Sequence, residues 1–456
     1  MAVDAGTLRE IETGYAHAVI VFVGEDGYPL GMATEYRVDA ERGVVTLTPP
    51  AGAAIPSQGE VNVIVSHIRP QEIGYDQRRY VQLWGPVRPT AEGLELRPER
   101  THTWDEQKVP FFQYSEVTVP QAHRYLGELG RERGRPVRPR LSFGWLALRT
   151  TRAPFLTATI VPILLGIAAA ALDFGWSFFL AALTLLAGSF VHLGLNVAND
   201  VFDTLSGADA ANTTPTQFSG GSRVVHYGLV RLPALAALSA AFYLAGIGIG
   251  LYLAFRTDFW PLFWLGAAGV VISLIYTAPP FRLVHRGVGE LAVALGFGPI
   301  MLLGAYFVQA QRFTFEAVYV SLPVAILIAL VLYMNEIPDR AGDAAAGKRT
   351  LPVRWSKRAV IRGFDWSVAV TYVLIAVGAV IGILPRPTLV ALATVPMAIK
   401  VARALRRDYE DPYALMFSAM GTNIKLHLYT GMLLFLGYLV AIGADRLMDQ
   451  VPVILR

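Results

Sequence analysis

No cysteine occurs in the 456 residues. That excludes disulfides, a thiolate nucleophile, and any zinc or iron–sulfur site built on Cys. Charge is scarce too. Asp, Glu, Lys and Arg together make 16% of the chain, against 54% hydrophobic residues and a mean hydropathy of +0.44. Such a composition points to a multi-span membrane protein, and the length leaves room for two or three domains. The net charge of +4 is modest, and the basic residues cluster beside apolar runs. They read as topology signals and contacts to anionic lipid, not as a nucleic-acid surface. The opening Met1 to Glu12 is polar and acidic, so no signal peptide is expected.

Residues 1–140 form the expected soluble domain. Ala18 to Val23 is a β-branched run, and Glu25-Asp26-Gly27 supplies a turn. Gly31 to Val38, Gly43 to Thr48, Val61 to Ser66 and Tyr80 to Leu83 are further strand candidates. Regular short strands point to a small β-barrel or sandwich. Pro120 to Arg133 reads as a surface helix, Arg131 to Arg140 as a basic linker, and Trp84 and Trp104 as core.

Residues 141–456 form the expected membrane domain, all-α, with about nine spans: 154–173, 177–198, 232–255, 259–276, 288–308, 315–335, 363–384, 387–404 and 426–444. Arg and Lys crowd alternate loops, from Arg131–Arg152 before the first span to Arg403–Arg407 before the ninth. The positive-inside rule then puts the N-terminal domain and these loops in the cytoplasm and the C-terminus outside.

Two of those cytoplasmic span ends carry acids. Asn196, Asn199, Asp200 and Asp203 fall at i, i+3, i+4, i+7, on one helical face, with Asp209 beyond. Asn335, Asp339 and Asp343 fall at i, i+4, i+8, and Pro338 marks a kink or a new helical segment there. Recurrence of the motif four spans later hints at an internal duplication. Asp and Asn beside spans often only cap helices. Two such motifs, each followed by cations, point instead to Mg²⁺ between carboxylates and a phosphate ligand. Asn199, Asp200, Asp203, Asp209, Asp339 and Asp343 are the candidate metal ligands, Asn335 supporting them. Arg223, Arg282, Lys348 and Arg349 are candidate diphosphate contacts. Gly220-Gly221-Ser222 could offer backbone N–H groups to phosphate oxygens. Tyr276 could line an acceptor pocket and stabilise a carbocation through its ring. His192 and Asn196, one turn apart, face the same way, although a satisfied core histidine explains His192 as well. Glu290 either orients a base or caps its helix. A polyprenyl diphosphate suits this set: a greasy tail, and an anionic head that must be neutralised as it leaves.

The membrane half resembles the UbiA superfamily of intramembrane prenyltransferases, and within it the 1,4-dihydroxy-2-naphthoate polyprenyltransferases of menaquinone synthesis. The residues are Asn196-x-x-Asn199-Asp200-x-Phe202-Asp203-x-x-x-Gly207-x-Asp209, Tyr276-Thr277, Arg286-Gly287-x-Gly289-Glu290, Gly296-Phe297-Gly298-Pro299, Gly304-x-Tyr306-x-Val308-Gln309, and Asn335-x-x-x-Asp339-x-x-x-Asp343 with Gly347-Lys348-Arg349-Thr350-Leu351. The match covers about 300 residues. It implies nine helices around a central cavity, Mg²⁺ and diphosphate held by both motifs, Asp200, Asp203, Asp339, Asp343 and Tyr276 in catalysis, and prenylation with loss of CO₂. Two stretches depart from the family: a long polar Thr213 to Arg223, and Ala278-Pro279-Pro280-Phe281-Arg282 where glycines are expected. Other acceptors, a hydroxybenzoate, a glyceryl-phosphate lipid or a chlorin, stay open, as do a cation-coupled transporter and a membrane-anchored redox sensor. The N-terminal part resembles flavin-binding split barrels of the pyridoxamine-phosphate-oxidase type, through its strand order, Glu25-Asp26-Gly27-Tyr28-Pro29 and Val81-Gln82-Leu83-Trp84-Gly85-Pro86-Val87. That resemblance implies FMN.

Overall fold

Period-two alternation builds the first unit, Met1–Val137. Strand β1 (His17–Val23) turns Ala18, Ile20 and Phe22 inward and their neighbours out. Six strands follow: β2 (Pro29–Asp39), β3 (Val44–Thr48), β4 (Glu60–Pro70), β5 (Tyr75–Thr90), β6 (Gly93–Leu96) and β7 (Arg100–Asp105). They run antiparallel in the order β4-β1-β2-β3-β6-β5, and β5 pairs back onto β4. The result is a closed six-stranded barrel, with β7 laid on β5 outside the ring. Ile20, Leu47, Val63, Leu83 and Leu96 are fully buried and fill the interior, so the barrel is a packed core. Helix α1 (Ala5–Gly14) adds Leu8 and Ile11 to it. Tyr114 of helix α2 (Phe111–Glu132) packs on Tyr80 and Trp104, with ring centroids 5.4–5.9 Å apart.

This is a computed structural model, and it describes residues 3, 5–24, 28–50, 52–53, 55, 59–70, 75–109, 111–137, 142–212 and 215–454. The Glu25-Asp26-Gly27 turn, Arg138 and Arg140 of the linker, and Thr213 lie outside them. The five expected strands are all present; four are longer, and β3 starts one residue late, at Val44. Neither β6, four residues long, nor the polar β7 was anticipated, and α2 begins at Phe111, well before Pro120. Trp104 is buried as expected, whereas Trp84 is half-buried with Arg100 over its ring.

The second unit, Arg138–Arg456, opens with α3 (Phe143–Thr151). Nine helices among the described residues are long and apolar enough to cross a membrane. They are α4 (Ala153–Asp173), α5 (Phe178–Ser206), α6 (Leu232–Arg256), α7 (Phe259–Thr277), α8 (Gly289–Ala310), α9 (Phe315–Ala345), α10 (Lys357–Val380), α11 (Arg386–Asp408) and α12 (Pro412–Leu447). This is a multi-pass membrane protein, with the nine expected spans. Small residues let the helices approach, as bilayer packing requires. A Cβ on Gly298 of α8 would stand 2.3 Å from the Ala325 Cβ of α9. Just there α8 loosens into π-helical geometry over Gly296–Ile300.

Helices α5 and α9 set up the site. They have 29 and 31 residues, or about 44 and 46 Å at 1.5 Å per residue. A hydrocarbon core is about 30 Å thick, so each helix overshoots, and the overshoot carries the acids. Ser177 caps the start of α5 and Thr314 that of α9. Gly207, in left-handed geometry, ends α5. Pro338 does not start a new segment: α9 runs through it to Ala345.

Candidate active site

The two overshooting ends meet across a polar cavity of ≈ 180 Å³. Asn196, Asn199, Asp203 and Asp209 line it from the first motif, and Asn335, Asp339 and Asp343 from the second. Lys348 ties the motifs together. Its Nζ lies 2.6 Å from Asp203 Oδ1 and 3.8 Å from Asp343 Oδ1. Burial works against that charge, yet the two carboxylates hold the amine above the usual lysine range. Burial, then the charges of Asp203 and Asp200, push the Asp209 carboxyl up to about 7.

The loop after α5 closes the cavity from one side. Asn212 Nδ2 donates to Asp339 Oδ1 at 2.8 Å, and the Gly220 N–H to Asp339 Oδ2 at 2.9 Å. The Ser222 N–H donates to both Asp200 oxygens, at 3.2 and 3.3 Å. Two of the N–H groups expected to face phosphate are therefore aimed at carboxylates of the protein. Left-handed geometry makes this turn possible: Gly220 has φ +77° and Gly221 φ +73°. A Cβ on Gly221 would stand 2.9 Å from Asp200 Oδ1. The described part of the long polar stretch, residues 215–223, is thus a strap across both motifs.

Asp200 does not line the cavity; it sits behind the strap. Arg223 is buried, and its Nη1 donates to the Asp209 carbonyl at 2.6 Å. Arg282 and Arg349 are not on the cavity wall, and Arg349 is exposed. Glu290 is buried just off the wall. Two charged wall residues, Arg152 and Glu336, carry no sequence signal for the site, and neither does Asn212. In sequence Arg152 is one topology charge among several, but left-handed backbone at φ 53°, between α3 and α4, places it in the wall.

A second, apolar cavity of ≈ 430 Å³ lies between α5, α6, α7 and α8. His192, Leu195, Tyr276, Val293 and Phe297 line both cavities. His192 is fixed there, its Nδ1 2.7 Å from Thr159 Oγ1 and its ring edge-on to Phe297 at 4.6 Å. A polar chamber therefore opens onto a greasy one at an aromatic junction.

The donor set fits Mg²⁺. Carboxylates and amide oxygens are hard ligands, and Asn199 Oδ1 is buried without a hydrogen-bond partner among the described residues. Among the described residues no three His, Asp or Glu side chains stand ready to hold an ion alone.

Known proteins share the membrane half. The Synechocystis 2-carboxy-1,4-naphthoquinone phytyltransferase is 29% identical over 295 residues, covering 64% of this chain and 92% of that protein. The Bacillus subtilis 1,4-dihydroxy-2-naphthoate octaprenyltransferase is 26% identical over 317 residues, covering 69% and 99%. The protein of that name from Mycobacterium tuberculosis is 30% identical over 252 residues, covering 55% and 82%. FMN gains no support from these matches. Residues 159–429, more than half of the chain and everything from α4 into α12, match the UbiA prenyltransferase family, and the chain belongs to it.

Proposed function

We propose that this enzyme transfers a polyprenyl group from its diphosphate to 1,4-dihydroxy-2-naphthoate, with loss of CO₂, the prenylation step of menaquinone synthesis. The observation that carries the reading is the aromatic junction between a polar and an apolar cavity. A prenyl tail fits the apolar chamber and a diphosphate the polar one, which sets the breaking C–O bond at Tyr276, His192 and Phe297. The naphthoate and naphthoquinone names of the relatives support the acceptor.

Asn199, Asp203, Asp209, Asp339 and Asp343 would hold Mg²⁺, with Asp200 fixing the strap behind them. When bound, the metal neutralises the diphosphate as a leaving group. Lys348 and Arg152 present cations to the same oxygens from the cavity wall. Arg223 shapes the strap by holding the Asp209 carbonyl, while Arg282 and Arg349, off the wall, draw the anion toward it. The Tyr276 ring faces the forming allylic cation. His192, Asn196 and Asn335 line the acceptor's side, and Asn335 Oδ1 is buried with no partner among the described residues. The charged loops support a cytoplasmic barrel and acidic cavity, with the C-terminus outside.

Purified protein is given Mg²⁺, geranylgeranyl diphosphate and a panel of aromatic and lipid acceptors, and products are read by mass spectrometry. A decarboxylated prenyl-naphthoquinone that disappears with EDTA, and with Asp339→Asn, is expected. No product from any acceptor, with the protein folded, overturns the reading. Flavin absorbance after reconstitution tests FMN in the barrel separately.

A further inference from the structure

Glu336 and Glu290 are the least explained charges of the membrane unit. They are 5% and 8% exposed. All four of their carboxyl oxygens are buried without a hydrogen-bond partner among the described residues. The two side chains lie against each other, and neither carboxyl finds a donor outside the pair among the described residues. A buried polar group left unpaired costs about 1–3 kcal/mol, more when charged, so the pair weakens the fold it sits in. Helix capping does not account for it. Glu290 is in the first turn of α8, but its oxygens accept no backbone N–H.

The position of the pair supplies the missing partner. Glu336 lines the polar cavity close to Tyr276, and Tyr276 belongs to the aromatic junction. We infer that Glu336 receives a ring hydroxyl of the acceptor and that Glu290 holds Glu336 in place. The inference rests on the proposed function and assigns the side chain that recognises the acceptor's hydroxyl. A carboxylate accepts hydrogen bonds and donates none, so it selects an O–H. It repels a glyceryl-phosphate anion at the same place. A hydroxyl hydrogen-bonded to a carboxylate also releases electron density into its ring, making the ring carbon a better partner for an allylic cation. Glu336 is then a substrate-contacting residue and Glu290 a positioning residue.

The test compares equilibrium binding of 1,4-dihydroxy-2-naphthoate and 1,4-dimethoxy-2-naphthoate, beside binding of geranylgeranyl diphosphate with Mg²⁺. It uses the wild type, Glu336→Met and Glu290→Gln. Glu336→Met replaces an unpartnered buried carboxyl with an apolar chain of similar size, so it folds and unfolds no lower than the wild type. The wild type is expected to prefer the hydroxyl ligand by about 100-fold or more, since a site built around a substrate hydroxyl rejects analogues without it. Glu336→Met should lose most of that preference and Glu290→Gln part of it, with prenyl diphosphate binding unchanged in both. A Glu336→Met protein that keeps the wild-type preference, or that loses acceptor and diphosphate binding alike, overturns the inference. A wild type that binds no hydroxyaromatic removes both the inference and the naphthoate reading. A wild type that shows the preference but forms no prenylated product removes the reading alone.

Discussion

Lys348→Met isolates the bridge between the acidic motifs. The Lys348 amine is buried and touches Asp203 and Asp343 at 2.6 and 3.8 Å. Each contact is worth on the order of 4 kcal/mol before the cost of desolvation. Removing one partner of a buried pair costs about 3–5 kcal/mol, because the other charges stay buried and uncompensated. For a unit of this size that lowers the apparent Tm by roughly 4–8 °C. Two further measurements identify the cause. Adding Asp203→Asn to Lys348→Met should recover part of the loss, since it removes a stranded carboxylate. Mg²⁺ should stabilise Lys348→Met more than it stabilises the wild type, by offering the carboxylates another cation. Prenyl transfer should fall by about 10²–10³-fold, the usual effect of deleting one oriented charge-stabilising donor. Thermal unfolding in detergent with and without Mg²⁺, followed by a single-turnover assay, reads all of these. An unchanged Tm, or an identical response to Mg²⁺, would refute the claim that the lysine holds the two helix ends together.

Gly221→Ala puts a methyl group 2.9 Å from Asp200 Oδ1 at φ +73°, where an L-residue costs about 1–2 kcal/mol; a lower Tm with transfer largely lost is expected. Gly250→Leu projects into the apolar cavity, where a Cβ meets nothing within 4 Å. Long prenyl diphosphates should then react poorly and dimethylallyl diphosphate normally, as chain-length competition will show. Arg152→Gln should raise KM for the prenyl diphosphate without moving acceptor affinity, measured by initial rates at varied concentrations of each. Gly298→Val overpacks against Ala325 and should cost about 1–3 kcal/mol, read as a lower Tm.

Hydropathy alone located every span, because a bilayer admits few alternatives to a long apolar helix. The acidic motifs were legible through helical periodicity: Asp203, Asp339 and Asp343 all reach one cavity. What escaped depends on the path of the chain between helices. Glu336 is one residue past Asn335 and off the i, i+4 row of acids, so no spacing singled it out. Arg152 looked like any other membrane-edge arginine until the left-handed turn was seen. Asp200 fitted its row perfectly well in sequence, yet the strap takes both of its oxygens. In the barrel, β6 is too short and β7 too polar for an alternation signal; ring closure secures β6 and pairing with β5 secures β7.

The strap also has a consequence for synthesis. Asn212 and its partner Asp339 are 127 residues apart. At about 5–20 residues per second, Asn212 leaves the ribosome roughly 6–25 s before Asp339. Until then Asn212 and Gly220 have no carboxylate to donate to, and water must serve the exposed acids of the first motif. The two halves of the polar chamber therefore come together only when the sixth span arrives, so a nascent chain truncated before it should carry an inserted α5 and no closed chamber.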